Sequence, residues 1–263
     1  MLLEADGCRA EVLPDAGGRL ASFEVDGWQL LVPSGADEFH WGNFAMAPWA
    51  GRLRHGVLRF GDAEHRLPVN APPHALHGLV TNMAWEEEGP GRVAVDLPAP
   101  WPWRGRLTHS LQLSPGRLDF RLELRAEQPM PASIGWHPWF GTRSGGPAGR
   151  TAGPVELDVR PRLMYASDDE GMPTGALVAP AARPWDYCFT GLERPPVVRW
   201  PGVLELTIES SCTAWVIYDR EPQGLCVEPW TAPPNALNMA PPPIVSPGAP
   251  LVATMTWRWR RIP

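Results

Sequence analysis

RLDFRLELR, at Arg117–Arg125, is the stretch that decides the fold class. Its apolar residues alternate with polar or charged ones, so every second side chain of an extended chain points the same way. This period of two predicts an antiparallel strand with one face on a core and the other in water. An amphipathic helix would instead repeat its apolar residues every three to four positions.

The same alternation recurs along the chain. It is clear at Val203–Glu209, Ala214–Asp219 and Leu251–Arg260, and less regular at Val57–Leu67 and Arg106–Leu113. Windows long enough for a helix are interrupted by Pro or Gly, which predicts little helix. Short strands separated by frequent turn signals predict an all-β protein built as a large antiparallel β-sandwich.

Three stretches rich in Pro and Gly divide the predicted strands: Gly141–Pro154, Gly171–Pro184 and Pro241–Pro250. We interpret them as loops between strands, because alternating segments resume on either side of each one. None resembles a long interdomain linker. The sequence therefore predicts a single domain over residues 1–263.

Composition and charge narrow the class of protein. The chain is 44% hydrophobic and 20% charged, with a formal net charge of −6. These values are typical of a globular protein and argue against nucleic acid or an acidic membrane as a partner. No basic start followed by an apolar run precedes the first strands, and no apolar run is long enough to span a bilayer. We therefore expect a cytoplasmic protein.

The absence of lysine and the spacing of the cysteines exclude further kinds of chemistry. All 23 residues counted as Lys+Arg are arginines. The absence of lysine excludes a lysine Schiff base, a pyridoxal-phosphate anchor and a Walker A loop. The four cysteines have no CxxC spacing and predict buried free thiols, namely Cys8, Cys188, Cys212 and Cys226.

Three histidines and one glutamate stand among Gly, Pro and Trp. His74 and His77 occur in NAPPHALHG, His137 in GWHPWF, and Glu228 in VEPWTAPPNALN. Imidazole and carboxylate side chains are suited to exchanging protons near neutral pH. Neighbouring aromatic rings suit a sugar, whose C–H face stacks while its hydroxyls form hydrogen bonds. The remaining histidines we interpret as structural: His40, His55, His65 and His109.

A metal site is the alternative use of these histidines. His74, His77 and His137 would supply three ligands, as in a catalytic zinc site. Positions i and i+3 of an extended strand, however, point to opposite faces. We therefore expect no metal ligands here.

Seven segments, in order, resemble the aldose 1-epimerase (galactose mutarotase-like) family: Pro14–Leu31, Ala47–Leu67, Asn70–Gly78, Gly135–Phe140, Trp185–Phe189, Val227–Asn238 and Pro247–Arg260. The resemblance runs nearly end to end. It implies that family's large β-sandwich and a mutarotase that needs no cofactor. Such an enzyme interconverts the α and β anomers of a hexose by opening and closing the sugar ring.

The resemblance also implies roles for individual residues. Glu228 stands in the position of the general base and His137 in that of the acid at the ring oxygen. His77 would bond to the ring oxygen or a nearby hydroxyl and share the acid role. Arg52 and Asp186 would bind sugar hydroxyls. Further substrate-binding candidates are His74, as a neighbour of the site, and three stacking faces, Trp136, Trp139 and Trp230.

Other functions stay open at this stage. A hexose-6-phosphate mutarotase would need two or three arginines at the pocket rim, and the available ones are Arg54, Arg59, Arg104, Arg106 and Arg143. A non-catalytic sugar-binding or sensor protein would keep the pocket without turnover. A glycosidase would use Glu228 and Asp186 as its two carboxylates. For the mutarotase we expect a bell-shaped pH profile, with a carboxylate limb below neutrality and an imidazole limb above it.

Overall fold

The structure is a computed structural model that describes residues 1–35 and 37–262. These residues form twenty-five strands and four 3-10 helices of three residues each. The 3-10 helices are Pro14–Ala16, Arg54–Gly56, Pro147–Gly149 and Ala236–Asn238. The strands, in chain order, are β1 (Leu2–Ala5), β2 (Cys8–Leu13), β3 (Arg19–Val25), β4 (Trp28–Gln29), β5 (Asn43–Met46), β6 (Arg52–Leu53), β7 (Val57–Phe60), β8 (Ala63–Arg66), β9 (Ala75–Leu76), β10 (Glu86–Gly89), β11 (Arg92–Asp96), β12 (Gly105–Ser114), β13 (Arg117–Ala126), β14 (Met130–Pro131), β15 (Gly135–Gly141), β16 (Glu156–Asp158), β17 (Pro161–Ser167), β18 (Pro173–Val178), β19 (Asp186–Leu192), β20 (Val197–Trp200), β21 (Leu204–Ser210), β22 (Ala214–Tyr218), β23 (Gly224–Trp230), β24 (Ile244–Val245) and β25 (Leu251–Arg261).

Two large antiparallel sheets account for most of the strands. An eleven-stranded sheet has the order β1-β2-β3-β5-β15-β23-β22-β19-β17-β18, with β4 paired to β3. An eight-stranded sheet has the order β10-β11-β12-β13-β25-β21-β20-β16. Three two-stranded ladders, β6-β9, β7-β8 and β14-β24, complete the pairing between the strands named above. The predicted large antiparallel β-sandwich with little helix is confirmed.

The alternation that predicted the fold is satisfied in β13. Leu118, Phe120, Leu122 and Leu124 are all buried, and the strand lies between β12 and β25 in register along most of its length. Burying one full-length aliphatic side chain contributes roughly 1.5–3 kcal/mol. This row therefore makes a substantial contribution to the core beneath the eight-stranded sheet.

The two sheets pack face to face through aromatic side chains. Phe140 of β15 lies 5.2 Å from Trp257 of β25, measured between ring centroids. Trp136, also on β15, lies 6.3 Å from Phe120 of β13. Residues of β15 that face the opposite way therefore stand on the outer side of the eleven-stranded sheet, where the cavity described below opens.

Some local predictions were wrong. Gly171–Pro184 was expected to be a loop, but it contains β18, which pairs with β17 at the edge of the eleven-stranded sheet. Pro241–Pro250 contains the short strand β24, which pairs with β14. Both were missed because neither has a clear polar–apolar alternation. The prediction of buried free thiols at all four cysteines is confirmed. No helix in residues 1–35 and 37–262 is long and apolar enough to cross a membrane.

Candidate active site

Strand register brings the predicted acid and base together. On the antiparallel strands β15 and β23, Trp139 is paired with Cys226. Moving two residues back along β15 and two forward along β23 places His137 opposite Glu228. Both side chains point to the outer face of the eleven-stranded sheet, because the intervening residues point to the core. The shortest distance between them is 3.4 Å, from His137 Nε2 to Glu228 Oε1.

A cavity of about 380 Å³ opens over this pair. Its size is in the range of small-molecule sites. The His137 ring is stacked between two aromatic rings, with centroid distances of 4.7 Å to Phe44 and 5.5 Å to Trp139. This stack fixes the plane of the imidazole. Trp139 and Trp230 line the cavity, and Glu228 lies at its floor.

Burial shifts both members of the pair toward their neutral forms. Glu228 is 1% exposed, and burial together with the nearby charge of Asp186 raises its pKa well above the ordinary value. The nearby indole of Trp230 acts in the opposite direction and lowers the pKa of Glu228. Among the described residues, neither Trp230 Nε1 nor Glu228 Oε2 has a hydrogen-bond partner at hydrogen-bond distance and angle. Burial, with a contribution from His77, lowers the pKa of His137 well below its ordinary value.

His77 reaches the same floor from a loop with an unusual backbone. Its φ is +60°, a left-handed conformation that is uncommon outside glycine. Its amide N–H donates to the Gly51 carbonyl at 2.9 Å, which holds the loop against the segment before β6. The following Gly78 is required, because a Cβ there would lie 2.0 Å from the Ala47 carbonyl oxygen. The strained residue is therefore held by its surroundings at a candidate functional position.

The imidazole of His77 packs edge-on against that of His137, with centroids 4.9 Å apart. Burial, followed by the charge of Arg52, lowers the pKa of His77 to about 3. His77 is therefore a neutral imidazole at physiological pH. It can donate or accept a hydrogen bond, and it carries no positive charge.

Arg52 and Asp186 form the polar side of the cavity. Arg52 begins β6 and Asp186 begins β19, and their side chains meet at 3.5 Å, from Arg52 Nη2 to Asp186 Oδ2. Both are partly exposed, so a ligand can reach them. The arrangement offers a cationic donor and an anionic acceptor side by side, as sugar hydroxyls require.

Several lining residues were not predicted. The rim carries Phe39 and His40, and the wall carries Tyr165, Tyr187 and Tyr218. His40 had been interpreted as structural. Its Nδ1 lies 2.6 Å from Asp37 Oδ1, and the Phe39 carbonyl accepts the Trp139 indole N–H at 2.6 Å. The alternation in the predicted strand Ala214–Asp219 places Tyr218 on the same face as Val216. This alternation is the sequence pattern from which Tyr218 could have been predicted as a lining residue.

Trp136 was predicted as a stacking face, and the structure corrects this. It directly precedes His137 on β15 and so points to the opposite side of the sheet. The side chain is 0% exposed, and its indole N–H donates to His109 Nε2 at 3.1 Å inside the core. A ligand in the cavity therefore does not meet it.

His74 is likewise not part of the cavity lining. Its Nδ1 accepts the His55 amide N–H at 3.2 Å, and its Nε2 donates to the Glu170 carbonyl at 3.3 Å. Glu170 and Asp168 are also held by Arg54. His74 thus fastens the β17–β18 turn beside the cavity, and its predicted role in substrate binding is not supported.

The histidine triad weighed for metal binding does not assemble. Within residues 1–35 and 37–262, the one group of three metal-ligand side chains whose ligand atoms lie within 4.8 Å of one another is His137, Cys226 and Glu228. Neither His74 nor His77 belongs to it.

Comparison with known proteins agrees with the geometry. The family model for aldose 1-epimerase matches residues 2–249, and the chain belongs to the aldose 1-epimerase family. It is 24% identical over 251 residues to the protein YihR of Escherichia coli K12, covering 84% of this chain and 80% of that protein.

Solved structures show the same fold at lower identity. A galactose mutarotase-like protein of Clostridium acetobutylicum superposes with a TM-score of 0.85 at 17% identity, covering 99% of this chain and 95% of that one. A galactose 1-epimerase of Lactobacillus acidophilus superposes with a TM-score of 0.78, also at 17% identity, covering 99% and 93%. The galactose mutarotase-like fold is therefore established for this chain.

Proposed function

We propose that the protein is a cofactor-free aldose 1-epimerase that interconverts the α and β anomers of an uncharged hexose or a related sugar. The observation that carries this proposal is the buried pair at the cavity floor, His137 Nε2 at 3.4 Å from Glu228 Oε1. An acid and a base that face one cavity from adjacent strands are what ring opening requires.

The reaction moves one proton at each end of the ring bond. Glu228 takes the proton of the C1 hydroxyl while the imidazolium of His137 gives a proton to the ring oxygen. The bond between C1 and the ring oxygen breaks, leaving an aldehyde at C1 and a hydroxyl at the former ring position. Rotation about the C1–C2 bond exposes the other face of the aldehyde. Closure then returns both protons along the same two routes.

The pKa shifts are consistent with this division of roles. A carboxylate whose pKa is raised is a stronger base, and an imidazolium whose pKa is lowered is a stronger acid. Burial raises the pKa of the carboxyl and lowers that of the imidazole, so it favours the neutral pair with the proton on Glu228, whereas the reaction needs that proton on His137. The pH profile therefore reports the pair as a unit, because the two groups titrate together.

The remaining polar groups orient the sugar. His77, neutral and edge-on to His137, would donate a hydrogen bond to the ring oxygen or a neighbouring hydroxyl. We assign the principal acid role to His137, since among the described residues it alone of the two histidines has a ring nitrogen within 4.0 Å of a carboxylate oxygen. Arg52 and Asp186 would bind hydroxyls, and Trp139 and Trp230 would contact the C–H face.

An uncharged sugar fits the cavity better than a sugar phosphate. Arg52 is the one arginine of the described residues that lines the cavity, and it already faces Asp186. Arg54 is paired with Asp168 and Glu170, and Arg106 with carboxylates of the eight-stranded sheet. In the part of the chain that the structure describes, the convergent arginines that a phosphate requires do not line the cavity.

Polarimetry on freshly dissolved α-D-glucose and α-D-galactose tests the proposal. The purified chain should accelerate the approach to anomeric equilibrium, and a parallel preparation of Glu228→Gln should not. The variant controls for mutarotases carried over from the expression host. Acceleration confined to sugar phosphates would replace the uncharged substrate in the proposal. Ligand binding without acceleration of any sugar would favour a sugar-binding protein.

A further inference from the structure

Cys226 lies next to the proposed acid and base, and the reaction gives it no role. It is two residues before Glu228 on β23, so both side chains stand on the same face of the strand. Its thiol is buried and free. The ligand atoms of Cys226, Glu228 and His137 all lie within 4.8 Å of one another.

These three groups have the chemistry of a zinc site. Zn²⁺ prefers thiolate, imidazole and carboxylate ligands at about 2.0–2.3 Å. Two such ligands at a tetrahedral angle are roughly 3.3–3.7 Å apart. His137 Nε2 and Glu228 Oε1 are already 3.4 Å apart, and Cys226 Sγ lies within 4.8 Å of the ligand atoms of both residues.

Two further observations support a ligand at this point. Among the described residues, Glu228 Oε2 is buried without a hydrogen-bond partner, although buried polar atoms are normally paired. One thiolate and one carboxylate also neutralise a divalent cation, so the complex would carry no net charge into a site where Glu228 is 1% exposed. The side facing the cavity supplies the open fourth position, where water would bind.

We propose that His137, Cys226 and Glu228 form a binding site for Zn²⁺ and similar thiophilic divalent cations, and that the bound ion excludes the sugar. The ion occupies the acid and the base, so it acts as a competitive inhibitor of mutarotation. Metal binding itself does not rest on the proposed function, whereas its inhibitory effect does.

The experiment uses Cys226→Ala with Cys188→Ala as its matched control. Cys188 is another buried free cysteine close to Glu228, but it does not belong to the group of three. Loss of an outer partner of a metal ligand already lowers affinity by about 10–100-fold. Loss of the thiolate ligand should therefore lower Zn²⁺ affinity at least about tenfold. Mutarotation without Zn²⁺ should be unchanged in Cys226→Ala.

Two measurements separate metal binding from catalysis. Added Co²⁺ should give a thiolate-to-metal charge-transfer absorption in the unmodified chain and in Cys188→Ala, and none in Cys226→Ala. In the second measurement, the Zn²⁺ concentration that halves the mutarotation rate should rise with sugar concentration. It should also be at least about tenfold higher for Cys226→Ala. If that variant is poorly soluble, Cys226→Ser takes its place.

The metal proposal is overturned if the unmodified chain gives no charge-transfer absorption with Co²⁺, or if Cys226→Ala binds metal as well as Cys188→Ala does. A chain that shows the absorption but has no mutarotase activity would retain the metal site and refute the proposed function instead. Zn²⁺ binding without competition against sugar would refute the inhibitory role.

Discussion

The two faces of the strand pair β15 and β23 have different roles, one in core packing and one at the candidate active site. On the core face, Phe140 packs against Trp257 and Trp200 of the eight-stranded sheet. On the cavity face, two residues of the same pair of strands, His137 and Glu228, meet at 3.4 Å. Because the side chains alternate, one pair of strands supplies both packing and chemistry, and a shift of register by one residue would exchange the two.

A buried histidine lies on each side of the eleven-stranded sheet, and the two histidines differ in their hydrogen bonding. Burial lowers the pKa of His109, on the core side, to about 4, and it also lowers that of His137. His109, however, has both ring nitrogens paired: Nδ1 donates to the Gly18 carbonyl, and Nε2 accepts the Trp136 indole N–H. For His137, by contrast, Nδ1 has no hydrogen-bond partner within residues 1–35 and 37–262. Unsatisfied hydrogen-bonding capacity, rather than burial, therefore distinguishes the candidate catalytic imidazole.

Replacing Glu228 by Gln should have the largest effect on activity. Removing one positioned base typically costs about 10²–10⁴-fold in rate. Gln has the shape of the protonated carboxyl that burial favours, so the thermal midpoint should not fall and sugar should still bind. Polarimetry, calorimetric sugar titration and thermal unfolding check the three quantities. If the variant unfolds at a markedly lower temperature, the residues of the cavity face also contribute to the stability of the fold.

Phe140→Ala should have the opposite profile. Truncating a fully buried Phe costs about 3–5 kcal/mol of the free energy of unfolding, and Phe140 is 0% exposed. The cavity lies on the other side of the sheet, so kcat of the folded fraction should stay close to that of the unmodified chain. Urea unfolding together with polarimetry measures both. A loss of kcat as large as that of Glu228→Gln would break the division between the two faces.

His109→Gln should change how stability depends on pH. The folded-state pKa of His109, about 4, lies below its ordinary value of 6.5. Its contribution to stability is therefore complete above about pH 6.5 and is lost as the pH falls toward 4. The shift corresponds to roughly 3 kcal/mol. Urea unfolding from pH 7 to pH 4 should show a shallower acid loss for His109→Gln. Parallel curves for the two proteins would contradict the assignment.

The sequence predicted the fold and the acid and base residues better than it predicted which side chains surround those residues. The alternation in Arg117–Arg125 specified a strand, and short motifs pointed to His77, His137 and Glu228. Treating GWHPWF as a strand would also have excluded Trp136, because adjacent residues on a strand face opposite ways. Which strands lie side by side is decided by long-range pairing, as between β5, β15 and β23.

His40 could not have been found from the sequence in this way. It lies between β4 and β5, outside any strand, and reaches the rim because long-range contacts hold its loop. The buried guanidinium of Arg19 donates to the carbonyls of Glu38 and Trp41. Neither contact follows from a periodic pattern. Loop positions fixed by single side chains far away in the chain are the part of the site that only the structure supplies.

His40→Ala should give the smallest change, and it extends the comparison to a third kind of histidine. His40 lines the cavity with its side chain 43% exposed, and Asp37 holds its Nδ1 at 2.6 Å. Its Nε2 is then free to bond a sugar hydroxyl at the rim, a contact worth about 1 kcal/mol. We expect KM to rise roughly fivefold with kcat unchanged, because the rim orients the sugar and takes no part in proton transfer. Initial rates over a range of sugar concentrations separate the two constants. A fall in kcat with KM unchanged would instead place His40 among the proton-transferring groups, and partial exposure at the rim would no longer set it apart from His137.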